Sequence, residues 1–286
     1  MRGAVIGGAG RMGKWLAEYF LNQGHCLVIS DTRRDEAEAF ANSIRAELAL
    51  DNGNAAMGSD LTVVSTPIDV APKVLEEISP RLKKHSTIME ISSLKCLVIP
   101  ILQDIAEHGI VTLSVHPLFG PGVQRLAQEK VALVPILDPS SELRTARKLF
   151  PGAEIVVVES GEHDRAMALT LSLPHFVNIA LASVIGEEDT DVLKKLGGTT
   201  FKIQLMLCEA VMAEDPDLYS SIQMGNIHTG RYLDRFMISA ENLRRHIADK
   251  DARSFAQFYA DVRSSLSRDA DFANAYERMY KALAAL

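Results

Sequence analysis

Val5-Ile6-Gly7-Gly8-Ala9-Gly10-Arg11-Met12-Gly13 decides the fold. A short apolar run, Ala4-Val5-Ile6, leads into it and a helix-patterned stretch leads out. The G-x-G-x-x-G spacing at Gly8, Gly10 and Gly13 therefore lies in the context that holds a dinucleotide pyrophosphate. Gly8 allows the tight turn, Gly10 lets the phosphates approach the backbone, and Gly13 lets the helix pack close to the strand. The helix amides, with Ala9, Arg11 and Met12 between the glycines, then face the anion. The next apolar run, Cys26 to Ile29, ends beside Asp31-Thr32-Arg33. A carboxylate about 20 residues past the turn accepts hydrogen bonds from the adenosine ribose. Asp31 opposes a 2′-phosphate and favours NAD, whereas Arg33 and Arg34 can neutralise one, so NADP stays open.

Outward from this turn, short β-branched runs alternate with helix-patterned stretches up to about residue 160, the signature of βαβ units around a parallel sheet. Leu61 to Val64, Thr87 to Ile91, Val111 to Leu113, Val131 to Leu137 and Glu154 to Val158 read as further strands. Asp69 to Ile78 and Ile99 to His108 read as helices, with Gly24 and Gly109 at helix ends. After Gly161 the β-rich runs vanish and amphipathic stretches continue to Leu286. The expected fold is α/β, an N-terminal doubly wound, Rossmann-type, mostly parallel sheet over residues 1–160, with an all-α domain for substrate and dimerisation over 161–286. The apolar faces of the helical half are expected to meet a second copy in a homodimer.

Composition narrows the function classes. The 286 residues are 47% hydrophobic, enough for extended cores, and the net charge of -7 carries no basic block suited to nucleic acid. Cys26, Cys96 and Cys208 are scattered, so neither a disulfide framework nor a metal site is expected, and a reducing cytoplasm fits best. No uninterrupted apolar run reaches the ~20 residues that span a bilayer, so no membrane association is expected.

A dehydrogenase needs a group that takes the hydroxyl proton while hydride leaves, and histidine suits that role near neutral pH. Of eight histidines, His116 ends a buried strand and opens His116-Pro117-Leu118-Phe119-Gly120-Pro121-Gly122 at the ligand-binding edge of the sheet. A histidine that caps a strand through its backbone bonds is the plainer alternative. At the same edge, Ser93 and Lys95 in Glu90-Ile91-Ser92-Ser93-Leu94-Lys95 offer a hydroxyl and a cation to an acidic substrate, or else a helix cap and a solvated amine. Ser65-Thr66-Pro67 either borders the cofactor or merely ends a strand. In the helical half, Leu173-Pro174-His175-Phe176 places a histidine and a proline inside an apolar helix, which is costly unless the histidine finds a partner.

Together these segments resemble the prephenate dehydrogenase family. The resemblance rests on the glycine turn, Ser92-Ser93-Leu94-Lys95, His116 to Pro121, Glu162-His163-Asp164, Leu173-Pro174-His175-Phe176 and Asp215-Pro216-Asp217-Leu218-Tyr219, and spans nearly the whole chain. It implies oxidative decarboxylation of prephenate to 4-hydroxyphenylpyruvate with NAD in tyrosine biosynthesis, arogenate being the alternative substrate. It further implies that His116 deprotonates the ring C4 hydroxyl, that Ser93 assists there, that Lys95 lies close to the substrate and that His175 positions it. Where the family carries an arginine for a substrate carboxylate, this sequence has Lys202, which keeps the charge and loses the bidentate fork. The chain length leads us to expect a monofunctional enzyme without a regulatory domain. Two other classes remain: a two-domain hydroxyacid or imine dehydrogenase, in which the His116 loop has no task, and a dinucleotide-binding sensor, which survives His116→Ala.

Overall fold

The computed structural model describes residues 1–284. Eight strands form one sheet: β1 (Arg2–Ile6), β2 (Cys26–Ser30), β3 (Glu47–Leu48), β4 (Leu61–Val64), β5 (Thr87–Glu90), β6 (Val111–Pro117), β7 (Lys130–Val134) and β8 (Glu154–Val157). Their order is β3-β2-β1-β4-β5-β6-β7-β8, and every neighbouring pair is parallel except β6 with β7. The strand order reverses between β1 and β4, the switch point at which open α/β sheets bind ligands. The two-residue β3 is not legible in the sequence, because Arg45-Ala46-Glu47-Leu48 has too little apolar length to register as a strand.

Alternation along the strands explains the double winding. Val5, Ile29, Val63, Met89 and Leu113 enter one core with Leu16 and Phe20, whereas Ala4, Ile6, Val28, Val64 and Ile88 enter the opposite core with Leu75 and Leu102. Both faces are covered by helices, so the strands read as nearly continuous apolar runs. Helix Arg11–Asn22 is followed by Gly24 at φ +82°, and helix Ile99–Glu107 by Gly109 at φ +77°, the left-handed exits expected at both points.

Register places the site. Ser30, Ile6, Val64, Glu90 and Ser114 are paired in one row across β2, β1, β4, β5 and β6. The residues just beyond that row, Asp31, Gly7, Ser65 and Ile91, therefore share the carboxyl edge with His116, two positions past Ser114 on the longer β6.

The chain divides into two compact units: Met1–Ala168 with Asp217–Asn226, and Leu169–Pro216 with the residues from Ile227 onward. The division thus falls eight residues beyond position 160 and returns a later segment to the first unit. The physical reason lies in helix Ser160–Met167, whose Asp164 accepts hydrogen bonds from the Lys95 and Cys96 amides, and in Asn226, whose Nδ2 donates to the Asp164 carbonyl at 2.7 Å. Both features tie sequence from the helical half to the sheet domain.

The second unit is helical throughout, with Leu173–Ile185, Thr199–Met212, Thr229–Ala248 and Ala252–Leu266 its longest helices. Gln204 Nε2 donates to Asn178 Oδ1 at 2.7 Å, joining the first two of these helices beside buried Leu205 and Cys208. Pro174 is accommodated at the start of Leu173–Ile185 by a π-helical turn over Ala168–Ser172, so its missing N–H interrupts no α-helical ladder. That turn joins Ser160–Ile185 into one helix, long and apolar enough by length and composition to cross a membrane. Counting uninterrupted apolar runs misses it, because Thr170, Ser172, His175 and Asn178 are dispersed along it. Only 17% of its most apolar window is buried within the chain. Exposed Leu196, Ile227, Ile238 and Tyr259 add further uncovered apolar surface to this unit.

Candidate active site

The glycine turn is built as a cradle. Gly7, at φ +80°, carries the left-handed conformation, so the residue that needs glycine for the turn itself is Gly7 and not Gly8. A Cβ on Gly7 would overlap the Ser65 carbonyl, and one on Gly13 would overlap the Gly7 carbonyl. Helix Arg11–Asn22 starts from Gly10 with no side-chain cap and no acidic residue in its first turn, leaving its N-terminal amides directed at the cradle. Ser65 and Thr66 run along the same turn, and the buried Thr66 Oγ1 has no hydrogen-bond partner. A polar atom orphaned beside a helix N-terminus fits a site shaped for a polar ligand.

Asp31 braces this cradle. Its Oδ2 accepts from the Ala9 amide at 2.9 Å, and its Oδ1 accepts from the Arg33 amide at 2.9 Å and from Arg33 Nε at 3.3 Å. Oδ1 is taken by two Arg33 donors, and Oδ2 also meets Arg33 Nη2 at a marginal 3.5 Å, so a ribose hydroxyl would bind at Oδ2 in place of that long contact. Arg33 also pairs with Glu36 at 3.3 Å and lies near Gly10, which sets a cation and an anion together where the adenosine end of a dinucleotide would rest.

Further along the edge, β6 delivers His116, buried at 6% exposure. Burial, and then the nearby Lys95 and His163, hold its pKa well below the usual 6.5, despite an opposing pull from Asp164. The imidazole is therefore neutral at pH 7 and able to accept a proton. The loop after it is pinned by Trp15, whose Nε1 donates to the Val123 carbonyl at 2.7 Å and whose ring meets Phe119 edge-on at 5.2 Å. Ser93, half-buried, follows β5 at the same edge.

Lys95 does not present its charge to a ligand, contrary to expectation. Its side chain is fully buried, and Nζ donates to Glu90 Oε1 at 2.6 Å and to the Val115 carbonyl at 2.7 Å. Glu90 also accepts from the Ser92 amide at 2.7 Å and from the Ser114 hydroxyl. The ion pair ties β5 to β6 at Val115, the residue before His116. Sequence could not separate this from a substrate contact, because both put a lysine one turn beyond a strand.

Two residues with no assigned role stand against His116. His163 Nε2 lies 3.1 Å from His116 Nδ1, and His163 Nδ1 lies 2.8 Å from Asp164 Oδ1. Both are buried. The sequence marks them only as part of the Glu162-His163-Asp164 segment of the resemblance, with no role attached to either side chain.

The remaining candidates belong to the second unit. His175 is half-buried near the start of helix Leu173–Ile185, and desolvation lowers its pKa. Lys202 is exposed in the first turns of helix Thr199–Met212, beside a surface cleft lined by Thr199, Met206 and Tyr280. Among the described residues no group of histidine, cysteine and carboxylate side chains is arranged to hold a metal ion.

Comparison with known proteins agrees with this architecture. Residues 9–158 match the family model described as prephenate dehydrogenase, nucleotide-binding domain, and residues 159–260 match prephenate dehydrogenase, dimerization domain. A probable arogenate/prephenate dehydrogenase of Methanocaldococcus jannaschii is 23% identical over 93% of this chain and 61% of its own length. The T-protein of Haemophilus influenzae is 23% identical over 91% of this chain and 65% of its own. The chain thus spans a little over three-fifths of the length of these curated relatives. The crystal structure of prephenate dehydrogenase from A. aeolicus, in complex with hydroxyphenyl propionate and NAD+, superposes with a TM-score of 0.74 at 18% identity, covering 94% of this chain and 99% of that one.

Proposed function

The chain belongs to the prephenate dehydrogenase family, and from that premise we propose that it oxidatively decarboxylates prephenate to 4-hydroxyphenylpyruvate with NAD. The observation that carries the reading is His116: a buried, neutral imidazole at the carboxyl edge of the sheet, beside a cradle built for a dinucleotide. NAD, when bound, supplies the hydride acceptor. The pyrophosphate would lie on the amides of Gly8 to Gly13, and the ribose on Asp31, with Thr66 bordering the cradle.

His116 accepts the proton of the ring C4 hydroxyl, which builds electron density on that oxygen and allows hydride to leave C4. The bond from the ring to its carboxylate then breaks, CO2 departs, and the freed electron pair completes the aromatic ring. Because aromatisation drives the second half, the protein's work is alignment, desolvation and removal of one proton. Ser93 assists at the hydroxyl in this reading. Lys95 is reassigned to holding β5 and β6 in place. His175 and Lys202 are the candidates that the second unit carries for the substrate's carboxylates. Arogenate, named in the description of the M. jannaschii relative, is the second substrate to be tried. Under the same reading a second copy covers the uncovered apolar helices, in keeping with the dimerization description of that segment.

The test follows NADH absorbance with prephenate and arogenate in parallel, for the wild type and His116→Asn. Turnover with prephenate, lowered about 10²-fold or more by His116→Asn with NADH affinity unchanged, is the expected result. Silence with both substrates, or an unaffected variant, would remove the proposal.

A further inference from the structure

Proton abstraction uses one ring nitrogen of His116, and the neighbouring side chains decide which nitrogen is bare. The Asp164 carboxylate is held by three kinds of donor: the Lys95 amide at 2.9 and 3.2 Å, the Cys96 amide at 2.9 Å, and His163 Nδ1 at 2.8 Å. An ionised carboxylate only accepts, so His163 Nδ1 must carry hydrogen. A neutral His163 then has a bare Nε2, and that atom faces His116 Nδ1 at 3.1 Å. His116 Nδ1 must therefore be the donor. By elimination, His116 Nε2 is the nitrogen with a free lone pair, the one left to face a substrate hydroxyl.

We propose that Asp164 and His163 form a buried positioning chain that fixes His116 in its Nδ1–H tautomer, and that His163 takes up the Nδ1 proton when His116 is protonated at Nε2. The inference rests on His116 being the base. The proton balance closes within the chain. The substrate O–H bond breaks and an Nε2–H bond forms on His116; the His116 Nδ1–H bond breaks and an Nε2–H bond forms on His163. His116 is then neutral again, and the charge is an imidazolium on His163 against the Asp164 carboxylate. Lys95 and Glu90 face the same group from β5 and the turn after it. The Lys95 ammonium, neutralised by Glu90 at 2.6 Å, is the nearby cation that disfavours charge remaining on His116 itself. The helix that carries the chain is held from a third element by Asn226, bonded to the Asp164 carbonyl. Neither His163 nor Asp164 touches the reacting atoms in this scheme; both act through His116.

Two measurements test it. In the wild type, the ¹⁵N shifts of histidine ring nitrogens, assigned with His116→Asn as the blank, read the tautomer directly. An Nδ1–H, bare-Nε2 signature for His116 is expected, and an Nε2–H signature would overturn the proposal without any activity being measured. In kinetics, Asp164→Asn keeps an oxygen in the Oδ2 position for the Cys96 amide and, at 3.2 Å, the Lys95 amide, but turns an NH2 toward His163 and away from its 2.9 Å bond with the Lys95 amide. That inverts both tautomers and blocks His116 Nε2. A serine-protease triad carrying the corresponding Asp→Asn change loses kcat by about 10⁴ for the same reason. A kcat loss of about 10² or more is expected here, with the KM for prephenate and the NADH affinity nearly unchanged and the Tm lowered by the lost Lys95 amide bond. His163→Gln sets an oxygen where Nε2 was and keeps the His116 Nδ1–H but cannot take up its proton, so a kcat loss is expected that is clearly smaller than that of Asp164→Asn, with the bare-Nε2 signature of His116 retained.

Asp164→Asn within about threefold of wild type, or equal losses in both variants, would refute the chain. If His116→Asn itself retains turnover, the base assignment fails instead, whatever the two other variants do.

Discussion

Replacing Lys95 by methionine separates its two possible roles, because they predict opposite signatures. In the structure its ammonium is fully buried, with one bond to Glu90 and one to the Val115 carbonyl. The methionine side chain would fill a similar volume, remove both bonds and leave the Glu90 carboxylate buried without its counter-charge. Removing one member of a buried pair costs about 3–5 kcal/mol, much of it the uncompensated desolvation of the survivor. For a unit of this size that corresponds to a Tm lower by roughly 6–20 °C. The assay is urea unfolding followed by the fluorescence of Trp15, the one tryptophan of the chain, which lies in the sheet unit against Tyr19 and Phe119. Adding Glu90→Gln should restore about 2 kcal/mol or more, since the glutamine oxygen still accepts from the Ser92 amide, its NH2 can donate to the Ser114 hydroxyl, and the orphaned charge is gone. A Lys95→Met protein that loses less than about 1 kcal/mol and instead shows a tenfold higher KM would refute the structural role and return Lys95 to the substrate.

The pH dependence follows from the depressed pKa of His116: kcat/KM should be flat through pH 7 and fall only below pH 6.5, where the imidazole takes up a proton; an acid midpoint above 6.5 would contradict the burial described here. The stability linkage has the same sign. The unfolded state binds this proton at the ordinary pKa and the folded state only at lower pH. The contribution is therefore fully present above pH 6.5 and is lost as pH falls toward the folded value. His116→Asn should flatten that part of the stability profile. Gly13→Ala forces a methyl group onto the Gly7 carbonyl and should weaken NADH binding at least tenfold by fluorescence titration, with unchanged affinity ruling out the cradle. Sedimentation velocity should give a dimer, and a monomer at micromolar concentration would leave the apolar helices of the second unit unexplained.

Local chemistry determined a large part of this protein. Gly8-Ala9-Gly10, the run ending at Asp31, and the glycines at helix ends are readable because each meets a short-range demand, whether a left-handed turn, a backbone approach or a pleat buried on both faces. The position of His116 at the sheet edge is likewise a matter of counting along one strand. What only the tertiary structure decided are the relations between elements far apart in sequence. Lys95 reads as a cation for substrate until β5 and β6 enclose it with Glu90 and Val115. His163 and Asp164 read as a segment of the family resemblance without a role until their helix docks on the turn after β5 and presents them to His116, which lies 47 residues before His163. Burial sets these roles by stripping away water. A charge that has lost its hydration must take its partner from whatever the fold brings within about 3 Å, and no spacing along the chain records which group that is.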